Sequence, residues 1–280
     1  MKTTASYNVN LFMPDLAQAT LTASVTSPVA HFDADYYATG CGPIPYGRHH
    51  DWLTLMAGFA ERIKQRINPA TVLDAGCAMG LLVEKLRENG VAAWGVDLSE
   101  YAIQQVHPSM REFCRVGSIA EPFGQRYDLI VTIEVLEHIP KAESERAVAN
   151  LCMHTDDILF SSSPNDHKEP THFNVQPPEY WAEQFALHGF YRDLTFDASF
   201  ITPWAVRFRR GREPFARVVY AYEQAYARLL DQNQQMRAAL AEIHAAKAKA
   251  MQLEADLAIA QAQLQRYEGG RWAGLIRKLL

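Results

Sequence analysis

Between Thr71 and Ser163 the apolar residues fall into short continuous runs separated by amphipathic stretches. The runs TVLDAG, AAWGVDL, FCRVG, YDLIVTI and DILFSSS have the length and the Val/Leu/Ile content of buried strands. LLVEKLREN, EYAIQQV and ESERAVANLCMH, in contrast, space their apolar positions three and four apart, which predicts helices. A helix is also expected from about His49 to Ile67, with Trp52, Leu55, Met56, Phe59 and Ile63 on one face and Asn68-Pro69 as its stop. After Pro164 a polar loop leads to a helix, PPEYWAEQFALHG, and to two strand-like runs, YRDLTF and AVRFRR. Alternation of this kind, with strands apolar on both faces, predicts an α/β fold: a doubly wound, mainly parallel seven-stranded sheet covered by helices. Ligands in such sheets bind beyond the carboxyl ends of the strands.

The pattern changes after Pro214, where neither proline nor glycine occurs again until Gly269. Apolar positions run Val219, Tyr222, Tyr226, Leu229, Asn233, Met236, Leu240 and Ile243, three and four apart as a heptad seam requires. The seam slips by three to Ala246 and continues through Ala250, Leu253, Leu257, Ala260, Leu264 and Tyr267, which predicts an α-helical coiled coil with one stammer. The alternative is a long helix packed on its own domain. The expected organisation is a weakly ordered leader over 1–30, a globular domain over 31–212, the coil over 213–268 and an amphipathic tail over 269–280. A coil of this type implies a homo-oligomer, dimer or trimer, and the tail could dock on a partner enzyme or on a membrane surface.

A hydrophobic content of 48% is enough for a real core, and a formal charge of −5 gives no sign of a nucleic-acid partner. The locally basic VRFRRGR reads as a solvated strand end, with a phosphate or membrane contact as the alternative. Four scattered cysteines, Cys41, Cys77, Cys114 and Cys152, suit a reducing cytoplasm better than a disulfide framework. No stretch has the length and apolarity of a membrane span.

The segment VLDAGCAMG joins the first strand to its helix, with Gly76 at the tight turn and Gly80 at the helix start, where small residues let a ligand approach the backbone. Asp97 ends the second strand about 20 residues further on, the placement of a carboxylate that accepts from ribose hydroxyls. On these residues the chain resembles the class I S-adenosylmethionine-dependent methyltransferases over about 68–210, which implies a Rossmann-like fold. The family's first motif, approximately hydrophobic-Leu-Asp-x-Gly-x-Gly-x-Gly, is matched by Asp74, Gly76 and Gly80, with Cys77 between and Ala78 replacing the middle glycine. The resemblance implies that Asp97 holds the ribose, that Leu98 packs on adenine, and that Gly117, Ser118 and Ile119 line the adenine pocket. Tyr46 would close over the cofactor, and Arg48 would neutralise the cofactor carboxylate or an acidic sugar.

In TIEVLEHIP a buried strand turns into Glu134, Glu137 and His138, groups that are costly to bury unpaired. If a helical turn begins at Glu134, the three share one face. Two carboxylates and an imidazole at one point make a plausible divalent-metal site, with magnesium or manganese as the expected ion. The motif also resembles that of ubiquinone-pathway O-methyltransferases and of small-RNA terminal ribose methyltransferases, where the resemblance implies a metal that contacts the acceptor hydroxyl. In DHKEPTHFN either His167 or His172 could be the later ligand, and His172 is favoured because FNVQPPEYW follows it directly. Metal-free general-base catalysis by His138 or His172 is the alternative, and Glu134 is a third candidate catalytic group. The loop DYYATGCGPIPYGRHHDW, the EPTHFNVQPPEYW segment and the tail together resemble methyltransferases of bacterial surface-polysaccharide (lipopolysaccharide or capsule) synthesis. That implies a glycan acceptor and a glycosyltransferase or polymerase partner. A quinone-type small-molecule O-methyltransferase and an inactive scaffold remain as rival readings.

Overall fold

The computed structural model describes residues 32–279, with side chains described from 32 to 266. Seven strands form one sheet: β1 (Thr71–Ala75), β2 (Ala92–Asp97), β3 (Cys114–Val116), β4 (Leu129–Ile133), β5 (Asp157–Ser161), β6 (Phe190–Arg192) and β7 (Val206–Arg210). Their order across the sheet is β3-β2-β1-β4-β5-β7-β6, and only β7 runs antiparallel to its neighbours. The mainly parallel seven-stranded sheet is therefore as the sequence predicts. The second-last strand begins earlier than the run YRDLTF suggested and covers only Phe190–Arg192.

Side chains alternate across the central strands, so each strand serves two cores. Val72, Val131 and Leu159 pack beneath helices α2 (His50–Arg66) and α3 (Leu81–Glu88), with Phe59, Ile63, Leu82 and Leu86 filling that layer. On the opposite face Leu73, Ile130, Ile158 and Phe160 meet α5 (Lys141–His154) and α6 (Pro178–Leu187) through Val148, Leu151, Trp181 and Phe185. Full burial of each such side chain contributes roughly 1.5–3 kcal/mol. Two short helices, α1 (Ala34–Thr39) and α4 (Glu100–Gln104), lie near the strand ends. Strand order reverses between β1 and β4, both of which pair with the chain running the same way, and this switch point opens a crevice at Gly76 and Glu134.

The basic run at β7 is used internally. Arg207 pairs with Asp157 and Asp193, while Arg210 and Arg212 pair with Asp156. This agrees with a strand end and removes these three cations from a phosphate site. All four cysteines are free thiols.

Helix α7 spans Phe215–Leu279, 65 residues, and at 1.5 Å each it is roughly 100 Å long. It continues through Gly269 and Gly270, where the sequence suggested a boundary, because two glycines weaken a helix without breaking it. Every residue from Tyr226 to Arg266 is exposed, so this stretch does not pack on its own domain. A coil partner is not part of the structure. Among the described residues no helix is long and apolar enough to cross a membrane. The expected leader lies outside the described residues, as do the side chains of the terminal tail.

Candidate active site

The chain leaves β1 through a loop that only small residues can make. Gly76 has φ 91°, and a Cβ there would lie 2.3 Å from a methyl of Val135. Ala78 also sits in the left-handed region, at φ 46°, which is why a glycine suits that position. Its amide donates to Asp97 Oδ2 at 2.7 Å, and the amide of Ser99 donates to Oδ1 at 2.8 Å. The carboxylate at the end of β2 is thus pinned to the glycine loop of β1. Gly80, at φ 69°, forms the N-cap of α3.

These elements border a cavity of about 480 Å³. Its lining includes Asp74, Gly76, Cys77, Ala78, Asp97, Leu98, Gly117, Ser118 and Ile119, together with Tyr46. The structure thereby brings together all but two of the expected cofactor residues. Gly80 shapes the helix start behind the lining. Arg48 is the clear departure: its guanidinium makes a two-pronged contact with Glu84, at 2.9 and 3.1 Å, and does not line the cavity. Burial, followed by the charge of Asp97, raises the Asp74 carboxyl to about 8, so at neutral pH it holds its proton.

The other end of the cavity contains the acidic motif. Glu134 is not helical; it takes φ 52°, held by hydrogen bonds from its amide to the Ser161 carbonyl (3.0 Å) and hydroxyl (3.2 Å). The helical face expected for Glu134, Glu137 and His138 is therefore not formed, and a 3-10 turn begins only at Leu136. Ligand atoms of Glu137, His138 and His172 nevertheless lie within 4.8 Å of one another, and Glu134 lies outside this set. Glu134 instead accepts from Trp204 Nε1 at 2.9 Å. His167 is exposed and outside the cluster, which leaves His172 as the later histidine.

The electrostatics of the cluster suit a cation. Glu137 is fully buried; Oε1 accepts from the Ser163 amide at 3.1 Å and Oε2 has no partner. Burial, then the charge of Glu134, raises its carboxyl to about 8. Burial and the adjacent His172 push the His138 imidazole down to about 4, leaving the ring neutral. Its Nδ1 lies 3.0 Å from Thr171 Oγ1, and the Nδ1 of His172 lies 2.8 Å from the Asp166 carbonyl oxygen. The two rings are 4.5 Å apart. The neutral His138 ring and His172, beside a buried Glu137 oxygen that has no hydrogen-bond partner, form a donor set that fits a divalent ion.

Aromatic residues from the N-terminal side close the cavity. Phe32 and Tyr36 place their rings edge-on to His138 at 5.6 and 6.0 Å, and Ser99 Oγ ties down the Phe32 carbonyl at 2.5 Å. Tyr37 stacks on Tyr101, and Tyr46 packs on Trp52. The aromatic loop is therefore a lid over both halves of the site.

The family model described as a methyltransferase domain matches residues 47–194, more than half of the chain. The chain belongs to this methyltransferase family. The matched span contains the glycine loop, Asp97, the Glu137–His138 turn and His172, and the aromatic lid around Tyr36 precedes it. Over 118 residues the chain is 36% identical to a protein of Coxiella burnetii named ubiquinone biosynthesis O-methyltransferase, covering 39% of this chain and 50% of that one. A Neisseria meningitidis protein of the same name is 30% identical over 115 residues, covering 37% and 48%. The chain thus spans about half the length of these curated relatives. In fold it is similar to magnesium protoporphyrin IX methyltransferase from Synechocystis, solved with bound SAM, at a TM-score of 0.51 and 17% identity, covering 68% of this chain and all of that one.

Sequence reasoning did not single out Phe32, Glu143, Asp166, Glu169, Thr171 or Trp204. Thr171 and Glu169 lie within the DHKEPTHFN segment, where attention to histidines passed over the hydrogen-bonding residues beside them. Trp204 carries no local signal, because it reaches Glu134 across 70 positions of sequence.

Proposed function

We propose that this protein is an S-adenosylmethionine-dependent O-methyltransferase acting on a hydroxyl of an uncharged glycan. The observation that carries the reading is the convergence of His138 and His172, which line the end of the cavity that also contains the glycine loop and Asp97, with Glu137 buried beside them. Asp97 would accept from the ribose of the methyl donor, and Leu98 and Ile119 would flank its adenine. The donor supplies an electrophilic methyl group on a sulfonium. Glu137, His138 and His172 would hold a magnesium or manganese ion, which supplies the positive charge that lowers the pKa of an adjacent hydroxyl. The surroundings of His138 argue against that residue as a metal-free base, since an imidazole held at about 4 is a weak proton acceptor at neutral pH.

The acceptor end favours a sugar on physical grounds. Phe32 and Tyr36 offer aromatic surface, Asp166 and Glu169 offer acceptors for paired hydroxyls, and no Lys or Arg lines the cavity among the described residues. With Arg48 bound to Glu84, the acidic sugar considered above loses its counter-charge. A second reading, a phenolic small molecule, is favoured by the names of the relatives. Labelled-methyl transfer onto methyl glucoside, methyl glucuronide and catechol, before and after chelation, tests the proposal. Transfer to the neutral glycoside, lost with EDTA and restored by manganese, is expected. Transfer to catechol alone would establish the second reading, and chelator-resistant transfer would remove the metal.

A further inference from the structure

The loop following β5 contains a hydrogen-bond chain that ends on the cluster. Thr171, almost fully buried, donates from both its amide (3.1 Å) and its hydroxyl (2.8 Å) to Glu169 Oε1. With its only proton committed to that carboxylate, the Thr171 hydroxyl faces His138 Nδ1 as an acceptor at 3.0 Å. The Thr171 carbonyl, which can only accept, lies 3.3 Å from the same nitrogen. His138 Nδ1 must therefore carry the proton, and the lone pair of the ring belongs to Nε2. His172 is fixed by the same logic, because its Nδ1 lies against the carbonyl of Asp166.

We infer that Glu169 and Thr171 are positioning residues that lock His138 in the Nδ1–H tautomer, so that its Nε2 is presented with His172 and Glu137 to one divalent cation. The inference rests on the metal reading for its purpose, whereas the tautomer lock stands on hydrogen-bond geometry alone. Carboxylate–hydroxyl–imidazole order has a clear physical effect: the half-buried Glu169 carboxylate takes the hydroxyl proton and keeps the ring oriented, and loss of such outer partners typically weakens metal binding 10–100-fold.

The test uses full-length protein with ¹⁵N-labelled histidine and two readouts, the His138 tautomer by long-range ¹H–¹⁵N correlation and manganese(II) chloride affinity by calorimetry. Wild type should show Nδ1–H at His138. Thr171→Val, which keeps the shape and leaves Nδ1 only the longer carbonyl contact, should raise the Nε2–H fraction and weaken manganese binding about tenfold, and Thr171→Ser should restore both. Glu169→Gln should shift both in the same direction by less. A folded Thr171→Val variant with unchanged tautomer and unchanged affinity would overturn the inference. If wild type binds no manganese, the metal reading fails, and the tautomer in Thr171→Val still decides whether the chain locks the ring.

Discussion

Asp74 illustrates how burial gives a motif residue a property that its letter does not announce. Its folded pKa of about 8 lies well above the ordinary carboxylate range, so the native state keeps a proton that the unfolded chain releases near pH 4. The native state then binds more protons, and stability is lost as pH rises toward 8. Glu137, at about 8, acts in the same direction. His138, depressed to about 4, has the opposite sign, but its effect lies below about pH 6.5, where the unfolded imidazole titrates. Between pH 6.5 and 8 the cofactor-free, metal-free protein should therefore lose Tm, and Asp74→Asn should lose less. Equal slopes in a thermal series would contradict this. Position in the motif made Asp74 legible in the sequence. Its protonation was not, because that depends on the distance to Asp97 and on the depth of the strand in the sheet.

At the scale of elements, the strand–turn–helix from Val72 to Leu81 could be read from the sequence because each local rule agrees: an apolar run, glycines at the turn and an amphipathic stretch after it. What could not be read was the loop after β4. Nothing in TIEVLEHIP announces a left-handed Glu134, since that conformation is imposed by Ser161 on a neighbouring strand. Spacing arguments presume a regular helix, and here the helix starts two residues too late to place Glu134 with His138. The two loops also touch, which gives a test. Gly76→Ala should destabilise by about 1–3 kcal/mol through overpacking against Val135, with further strain from its positive φ. Adding Val135→Ala should recover the overpacking part only. Denaturant titrations of the single and double variants would measure this, and no recovery in the double variant would place the cost entirely in the backbone.

For the whole molecule, the open question is what the exposed seam of α7 meets. Tyr226, Leu229, Met236, Leu240, Leu253 and Leu257 are each between 50% and 70% exposed. A second copy aligned parallel and in register sets each stammer opposite itself and Asn233 opposite Asn233, whereas an antiparallel copy misaligns the seam on either side of the slip. A flanking charge pair agrees, because the heptad places Lys249 beside Glu254 of the second copy. Light scattering should therefore give a multiple of the monomer mass for the full chain and the monomer mass after truncation at Arg212; equal monomer masses would refute self-association. The long α7 and the alternation of parallel strands with helices were legible in the sequence because each repeats a simple period, while the Trp204 contact arises only when distant segments meet. All of this depends on the cavity being a methyl-donor site, and calorimetric titration of S-adenosylmethionine tests that most directly. The account predicts one site per chain, weakened about tenfold or more in Asp97→Ala through loss of charge-assisted hydrogen bonds to the ribose. Absence of binding in the folded wild type, or unchanged affinity in a folded Asp97→Ala variant, would contradict it.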